Sequence, residues 1–430
     1  MKPPLKIAIA GLGTVGTGTL RLLRQNAALI ERRSGRRLVV TAVAERDATR
    51  DRGDALAGLR WERDALALMA APDVDVVVEL IGGADGVARE LVTAALNHGK
   101  HVVTANKALM AHHGLELAQL AEEKHVALAF EAAVAGGIPI LKALREGLAA
   151  NNVKRIYGIL NGTCNYILTA MRESGREFND VLAEAQRLGY AEADPSFDID
   201  GIDAAHKLAL LASVAFGTRV DLAGIHIEGI RHVSALDIEF AAELGYRIKL
   251  LGLARPTALG LEQRVHPCMV PRSTPIAHVD GVFNAVVVEG DFVGRVMLEG
   301  RGAGAEPTAS AVVADLIDIA RGSTATSFAL PASQLMPSVP APMARHQGAY
   351  YIRLMVVDRP GVIADIAAAL RDEQVSMEQM IQRGRAPGEA VPVVLTTHDA
   401  EEAAMRRALE RIDRLDTVLE APRMIRVENL

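Results

Sequence analysis

A chain of 430 residues, half of them hydrophobic, can fill two or three domain cores. Its net charge of −6, without a long basic run, argues against a nucleic-acid partner. Two cysteines, Cys164 and Cys268, cannot build a secreted-type disulfide framework. The N-terminus has too short an apolar run for a signal peptide, and no stretch is apolar for the length of a membrane span. A soluble, cytoplasmic protein with no membrane partner is the expectation. Scarce aromatics and plentiful aliphatics favour helix-and-sheet architecture over an all-β fold.

Residues 5–10 read as a short buried strand, and Gly11-Leu-Gly13-Thr14-Val15-Gly16 follows at once and opens a helix. In that position the glycines let the backbone approach a pyrophosphate at a helix N-terminus, the alternative being a plain tight turn. Further strands near 38–44, 74–80, 101–104 and 126–130, separated by helices, imply a parallel sheet covered on both faces. After the second strand, Glu45-Arg46-Asp47 offers a carboxylate for a ribose and Arg46 for a 2′-phosphate. NAD and NADP therefore both stay open, as does Arg46 as a solvated surface residue. Thr104-Ala-Asn-Lys107 starts a helix at the carboxyl end of a strand, where such sheets bind ligands. The segment 130–139 runs from a strand into a glycine-rich loop. Glu131 plus carbonyls turned toward one point suits a hard monovalent cation, and a hinge into the next domain explains the segment equally well.

From about Asn151 the pattern changes to extended runs at 153–160, 224–231, 261–270 and 282–299, an α+β catalytic domain with a mixed sheet. Gly302-Ala-Gly304-Ala-Glu-Pro307 leads into a helix at about 308–321, expected to return to the nucleotide-binding sheet. Residues 331–348 carry four prolines and have linker composition. A strand, a turn at 359–362, a helix, two strands and a helix at 401–414 follow. The expected domains are 1–135 with the return helix 303–325, then 136–302, the linker 331–348, and 349–430.

Chemistry concentrates in 189–207. Glu192, Asp194, Asp198, Asp200 and Asp203 crowd one loop, and Lys207 lies in a helix that is apolar nearly all round. Asp203 stands four residues before Lys207, on the same helix face. A lone pair of this kind is usually an ordinary helix ion pair. Here the carboxylate cluster and the apolar surroundings make the lysine a candidate proton donor and acceptor.

The pattern Ala185-x-x-x-Gly189-Tyr190-Ala191-x-x-Asp194-Pro195-x-x-Asp198-Ile199-x-Gly201-x-Asp203-x-x-x-Lys207 resembles the homoserine dehydrogenase signature. Ala105-Asn-Lys107, the loop after Glu131 and Asn161-Gly-Thr-Cys164-Asn-Tyr resemble the same family, and 350–427 resembles an ACT (βαββαβ) domain. The resemblance is to the monofunctional form with a C-terminal ACT domain. It implies a Rossmann-type doubly wound domain, a catalytic and dimerisation domain, and a homodimer or homotetramer. The implied reaction is the reversible NAD(P)-dependent reduction of L-aspartate 4-semialdehyde to L-homoserine, in threonine, methionine and isoleucine biosynthesis.

By the resemblance, Lys207 is the proton donor, Asp203 orients it, and Lys107 positions substrate and cofactor and could share the transfer. Glu192 takes the substrate amino group and Asp198 supports it. Gly302 and Gly304 let the last helix approach the nicotinamide. A sodium ion is held by Glu131 and the main chain of Val134, Gly136 and Ile138. Threonine is the implied allosteric effector, meeting Asp358, Gly361 and Val362, with a pure assembly role for that domain as the alternative. A phosphorylating semialdehyde dehydrogenase using Cys164 is the rival enzyme, although no activating base is evident near that thiol and a packing role suits it better. A non-catalytic NADP- and amino-acid-binding sensor is the rival outside enzymes. His266 and the pair His112-His113 read as ordinary surface or loop residues.

Overall fold

The computed structural model describes residues 2–47, 56–70, 73–323, 325–383 and 386–430. Thr324, inside the range expected for the return helix, lies outside the described residues. Among the described residues, β1 (Leu5–Ala10), β2 (Leu38–Ala44), β3 (Arg60–Glu62), β4 (Val76–Glu79), β5 (His101–Thr104) and β6 (Leu128–Ala129) form a parallel sheet in the order β3-β2-β1-β4-β5-β6. Alternate residues of β1 serve different cores: Leu5, Ile7 and Ile9 pack on one face, Ala8 and Ala10 on the other. The helix expected at 308–321 runs Ala305–Arg321 and packs beside Thr14–Gln25. Gly18 permits that approach, because a Cβ there would lie 2.8 Å from the Ala305 carbonyl oxygen.

The second sheet begins with β7 (Val153–Ile159), β8 (His226–Ile227), β9 (Tyr246–Thr257), β10 (Gly260–Pro271), β11 (Phe283–Gly290) and β12 (Gly294–Arg301). The extended run at 282–299 is a hairpin of two strands, and the run at 224–231 shrinks to β8. Sequence reading had no strand at β9, which pairs with β10 along its whole length. Its Lys-Leu-Leu-Gly-Leu-Ala centre is buried on both faces and so shows no alternation. The C-terminal module follows as β13 (Gln347–Val357), β14 (Met377–Gln382), β15 (Ala390–Thr397), β16 (Ala400–Glu401) and β17 (Arg423–Val427), with helices Val362–Asp372 and Glu402–Asp413 on one face.

One relationship differs from expectation. The sheet order is β12-β11-β7-β9-β10-β17-β13-β15-β14, so the C-terminal sheet continues the catalytic one through parallel β10–β17 pairing at Cys268–Arg426 and Met269–Val427. The proline-rich stretch 331–348 is a bound strap rather than a loose linker. The Met336 amide donates to Gly217 (3.0 Å), the Arg219 amide to Met336 (2.8 Å), and the Leu261 amide to Val339 (2.7 Å). Strand β13 already starts at Gln347. Prolines remove donors from this stretch but leave its carbonyls free to accept. Among the described residues no helix is long and apolar enough to cross a membrane.

Candidate active site

The buried helix Ile202–Phe216 starts from Gly201, whose φ of 85° is left-handed. Asp203 lies in its first turn, where a carboxylate favours the helix dipole. Its Oδ2 accepts from Lys207 Nζ at 2.6 Å and Asn161 Nδ2 at 2.8 Å, and its Oδ1 faces Lys107 Nζ at 3.1 Å. Lys207 Nζ also donates to the Leu160 carbonyl at 2.8 Å. Burial opposes ionisation of Asp203, yet Lys207 and Lys107 outweigh it and hold the carboxyl well below the usual aspartate range. Lys107 is the first residue of the helix Lys107–Glu123, fixed there by Asn106, whose side chain caps the Leu109 amide at 3.0 Å. The Phe197 ring lies 5.6 Å from Lys107 Nζ.

Asn161 ties the constellation together, and sequence reading gave it no role. Its oxygen caps the helix Gly162–Ser174 at the Cys164 amide (2.8 Å), while its Nδ2 donates to Asp198 Oδ1 (2.8 Å) as well as to Asp203. Thr163 Oγ1 lies 3.1 Å from Asp198 Oδ2, its single proton shared with the Tyr190 carbonyl at 2.8 Å. Among the described residues Asp198 has no cation within ion-pairing distance, and its oxygens meet only these neutral groups. Asn284 is a further missed residue. It is 1% exposed, neither of its amide atoms has a partner among the described residues, and a Cβ on Gly302 would fall 2.1 Å from its Nδ2. The signal available in sequence was a polar residue opening an otherwise apolar strand.

These groups line a cleft of ≈ 530 Å³ between the two sheets, walled on the other side by Val15, Gly136, Gly302 and Gly304. Glu192 is not among its walls. It lies on the exposed segment after Gly189, and its carbonyl accepts from Gln186 Nε2 at 3.0 Å. Cys164 is fully buried and its Sγ donates to the Asp198 carbonyl at 3.2 Å. Burial first, then Asp198 and Asp203, push that thiol far up, which removes it as a thiolate nucleophile. His266 is not a surface residue: it is buried on β10, with Nε2 2.8 Å from Arg264 Nη1. His112 and His113 lie on the helix Lys107–Glu123, and the His112 ring meets buried His206 edge-on, centroids 5.5 Å apart.

The nucleotide-side residues fit a dinucleotide. Gly11 has a φ of 92° and a Cβ there would lie 2.5 Å from the Leu80 oxygen, whereas Gly13 faces open space. Thr14 is the exposed first residue of its helix, and Gly16 would place a Cβ 2.0 Å from the Gly11 oxygen. A second pocket of ≈ 320 Å³ is lined by Gly11, Gly13, Glu45, Arg46 and Arg63. The Glu45 carboxylate accepts from the amides of Leu12 (2.9 Å), Arg46 (2.9 Å) and Asp47 (3.3 Å).

The cation reading finds a mixed fit. The Glu131 carboxylate accepts from the amides of Leu141 (2.9 Å) and Lys142 (2.8 Å), so it serves the start of the following helix. The Ile138 carbonyl accepts from Ile140 at 2.8 Å. Ala135 and Gly136 both have φ of 54°, in the left-handed region. Among the described residues Val134 and Gly136 keep carbonyls that accept no backbone hydrogen bond.

A Rossmann-type sheet with a glycine turn, joined across a cleft to a buried carboxylate that carries two lysines, defines a nicotinamide-nucleotide-dependent oxidoreductase. Comparison with known families agrees. Residues 11–131 match the homoserine dehydrogenase NAD-binding domain, 139–317 the homoserine dehydrogenase catalytic family, and 350–415 the ACT domain. The chain is 48% identical over 433 residues to a homoserine dehydrogenase of Neisseria gonorrhoeae, covering 99% of each, and 47% identical to that of Pseudomonas aeruginosa, again covering 99% of each. The crystal structure of a homoserine dehydrogenase from Thiobacillus denitrificans superposes with a TM-score of 0.93 at 49% identity, covering 99% of this chain and 98% of that one. A hyperthermophilic archaeal homoserine dehydrogenase in complex with NADPH matches 73% of this chain and 97% of its own, with a TM-score of 0.62 and 29% identity. The chain belongs to the homoserine dehydrogenase family.

Proposed function

We propose that the enzyme reduces L-aspartate 4-semialdehyde to L-homoserine reversibly, with NADP(H) preferred, on the pathway branch that leads to threonine, methionine and isoleucine. The observation that carries this is the sharing of buried Asp203 by two lysines in the cleft. The bound nicotinamide supplies or accepts the hydride. Lys207 donates its Nζ proton to the alkoxide as it forms and takes it back in the oxidation direction. Asp203 and the Leu160 carbonyl hold that ammonium in line, and Lys107 braces the opposite oxygen of Asp203 while facing the cleft. Asp198, which among the described residues has no cationic partner, suits the substrate ammonium, with Glu192 as a second carboxylate from the adjoining loop.

Committing Glu45 to three amides, with Arg46 and Arg63 in the same pocket, supports a 2′-phosphate and hence NADP. Free carbonyls at Val134 and Gly136 support a sodium ion held by main chain, with the Glu131 side chain shaping the loop rather than ligating. A pocket of ≈ 360 Å³ at the first strand-to-helix turn of the C-terminal domain is lined by Asp358, Gly361 and Val362 and supports threonine as effector there. The direct test is the rate of homoserine oxidation with NADP and with NAD. Turnover with neither would overturn the reading.

A further inference from the structure

Away from the cleft, a cavity of ≈ 160 Å³ opens between the helices Gly162–Ser174 and Ala235–Glu243 and strand β9. Arg172, Arg247, Lys249 and Arg272 all line it, with Tyr246 and Ile238 beside them. A single carboxylate serves three of these cations. Asp280 accepts from Arg172 Nη1 and Nη2 at 2.8 and 3.0 Å, from Lys249 Nζ at 3.0 Å and from Arg247 Nη1 at 3.3 Å. Glu173 adds one further bond to Arg172, at 3.0 Å. Arg272 is exposed at the mouth and, among the described residues, has no carboxylate within ion-pairing distance.

Four cations thus line the cavity and no carboxylate does; Asp280 and Glu173, which pair with three of them, lie outside its lining. Lys249 is 1% exposed, and its remaining bonds go to the Val279 carbonyl (2.6 Å) and Asn165 Oδ1 (3.1 Å). Burial first, then Arg172 and Arg247, pull its ammonium down to about 8 against the opposing pull of Asp280. An uncompensated charge in a partly desolvated cavity is costly, and an anion entering it gains from every cation at once. Guanidinium groups present paired N–H donors that match tetrahedral oxyanions.

We infer that this cavity binds a compact oxyanion: phosphate, either free or as the phosphoryl end of a small metabolite, gripped by Arg247 and Arg272 beside Arg172 and Lys249. No residue of the hydride-transfer site takes part, so this inference stands apart from the catalytic reading. Thermal unfolding of the full-length chain tests it, with sodium phosphate titrated against sodium chloride at matched ionic strength and glycerol phosphate run in parallel. A rise in Tm that grows with the logarithm of phosphate concentration is expected, reaching about 5 °C once phosphate exceeds its dissociation constant about a hundredfold. Arg272→Gln, an exposed change that leaves the fold intact, should weaken the apparent affinity at least tenfold, and Arg247→Gln should abolish the rise. Equilibrium dialysis with labelled phosphate should find one site per chain, lost in Arg247→Gln. A stronger response to glycerol phosphate than to phosphate would assign the site to a phosphorylated metabolite. No rise beyond the chloride control, or an equal rise in both variants, would overturn the inference.

Discussion

Lys107 and Lys207 belong to different helices and different domains, yet their ammonium groups stand 3.1 and 2.6 Å from the two oxygens of Asp203. This sharing separates their roles. Lys207 is held from two sides by Asp203 and the Leu160 carbonyl, whereas Lys107 is a third exposed and faces the cleft. Lys207→Ala should therefore lower kcat at least ~100-fold, the size of effect typical of a lost general acid. The dissociation constant of the cofactor should stay within twofold. Near-normal kcat would take Lys207 out of the mechanism.

Asp198 is where the proposed substrate recognition is tested. Among the described residues its two oxygens meet only Asn161 and Thr163, which leaves room for an incoming ammonium. Asp198→Asn should raise KM for homoserine ~10-fold or more, since a charge-assisted bond becomes a neutral one. Glu192→Gln, from the exposed segment, should raise KM less. The reverse ranking in steady-state kinetics would assign the amino group to Glu192.

Cofactor choice should follow the arginines beside Glu45. Replacing Arg46 and Arg63 by Ala together should weaken NADPH by at least ~10-fold, the loss of about one charge-assisted contact, and leave NADH nearly unchanged. Fluorescence titration of both reduced nucleotides reads this directly. Equal losses for the two would show that the arginines do not meet a 2′-phosphate.

Regulation cannot be tested by removing the C-terminal domain. Arg426 holds Glu228 at 2.9 and 3.0 Å, Arg353 holds Asp237 at 2.7 Å, and fully buried Arg264 is paired with Glu428. A stop after Ser338 would strip these partners from buried Arg264 and Asp237 and from half-buried Glu228, and breaking a buried pair is strongly destabilising. The truncated chain is expected to be aggregated or inactive, and a stable, active product would refute this. Threonine sensitivity is better tested in the full chain with Gly361→Ala. Gly361 has a φ of 98°, so a side chain strains the turn at the effector pocket. Basal activity should persist while inhibition weakens. Unchanged sensitivity would place the effector elsewhere.

Glu131 makes stability depend on pH. Burial first, then neighbouring Asp315, raise its carboxyl from 4.5 to about 7, against Arg145 and the amides of Leu141 and Lys142. The folded chain then holds a proton that the unfolded chain has released between pH 4.5 and about 7. Stability from this group is complete below that window and falls as pH rises through it. Relative to the parent, Glu131→Gln should gain Tm as pH rises from ~5 to ~7.5 in sodium-free buffer. A difference independent of pH would show that Glu131 is ionised throughout.

Much of this enzyme was legible in sequence because its chemistry is local. Asp203 and Lys207 are four residues apart on one helix, and the glycine turn directly joins a strand to a helix, so spacing alone exposes both. The apolar runs of the first sheet likewise announce buried parallel strands. Strand β9 was missed because burial on both faces erases the alternation that marks a strand. What needed tertiary structure were relations between distant segments. Asn161 reads as a helix cap, and only folding brings its nitrogen to Asp198 and Asp203. Nothing local in 331–348 distinguishes a strap from a linker, since the donors that meet its carbonyls are the distant amides of Arg219 and of Leu261 on β10, and its own Ala341 amide donates to the Leu261 carbonyl. Pairing of β17 with β10 rests on charges more than 150 residues apart, Arg264 with Glu428 and Arg426 with Glu228. Periodicity reports which face of an element is buried, and packing alone decides what buries it.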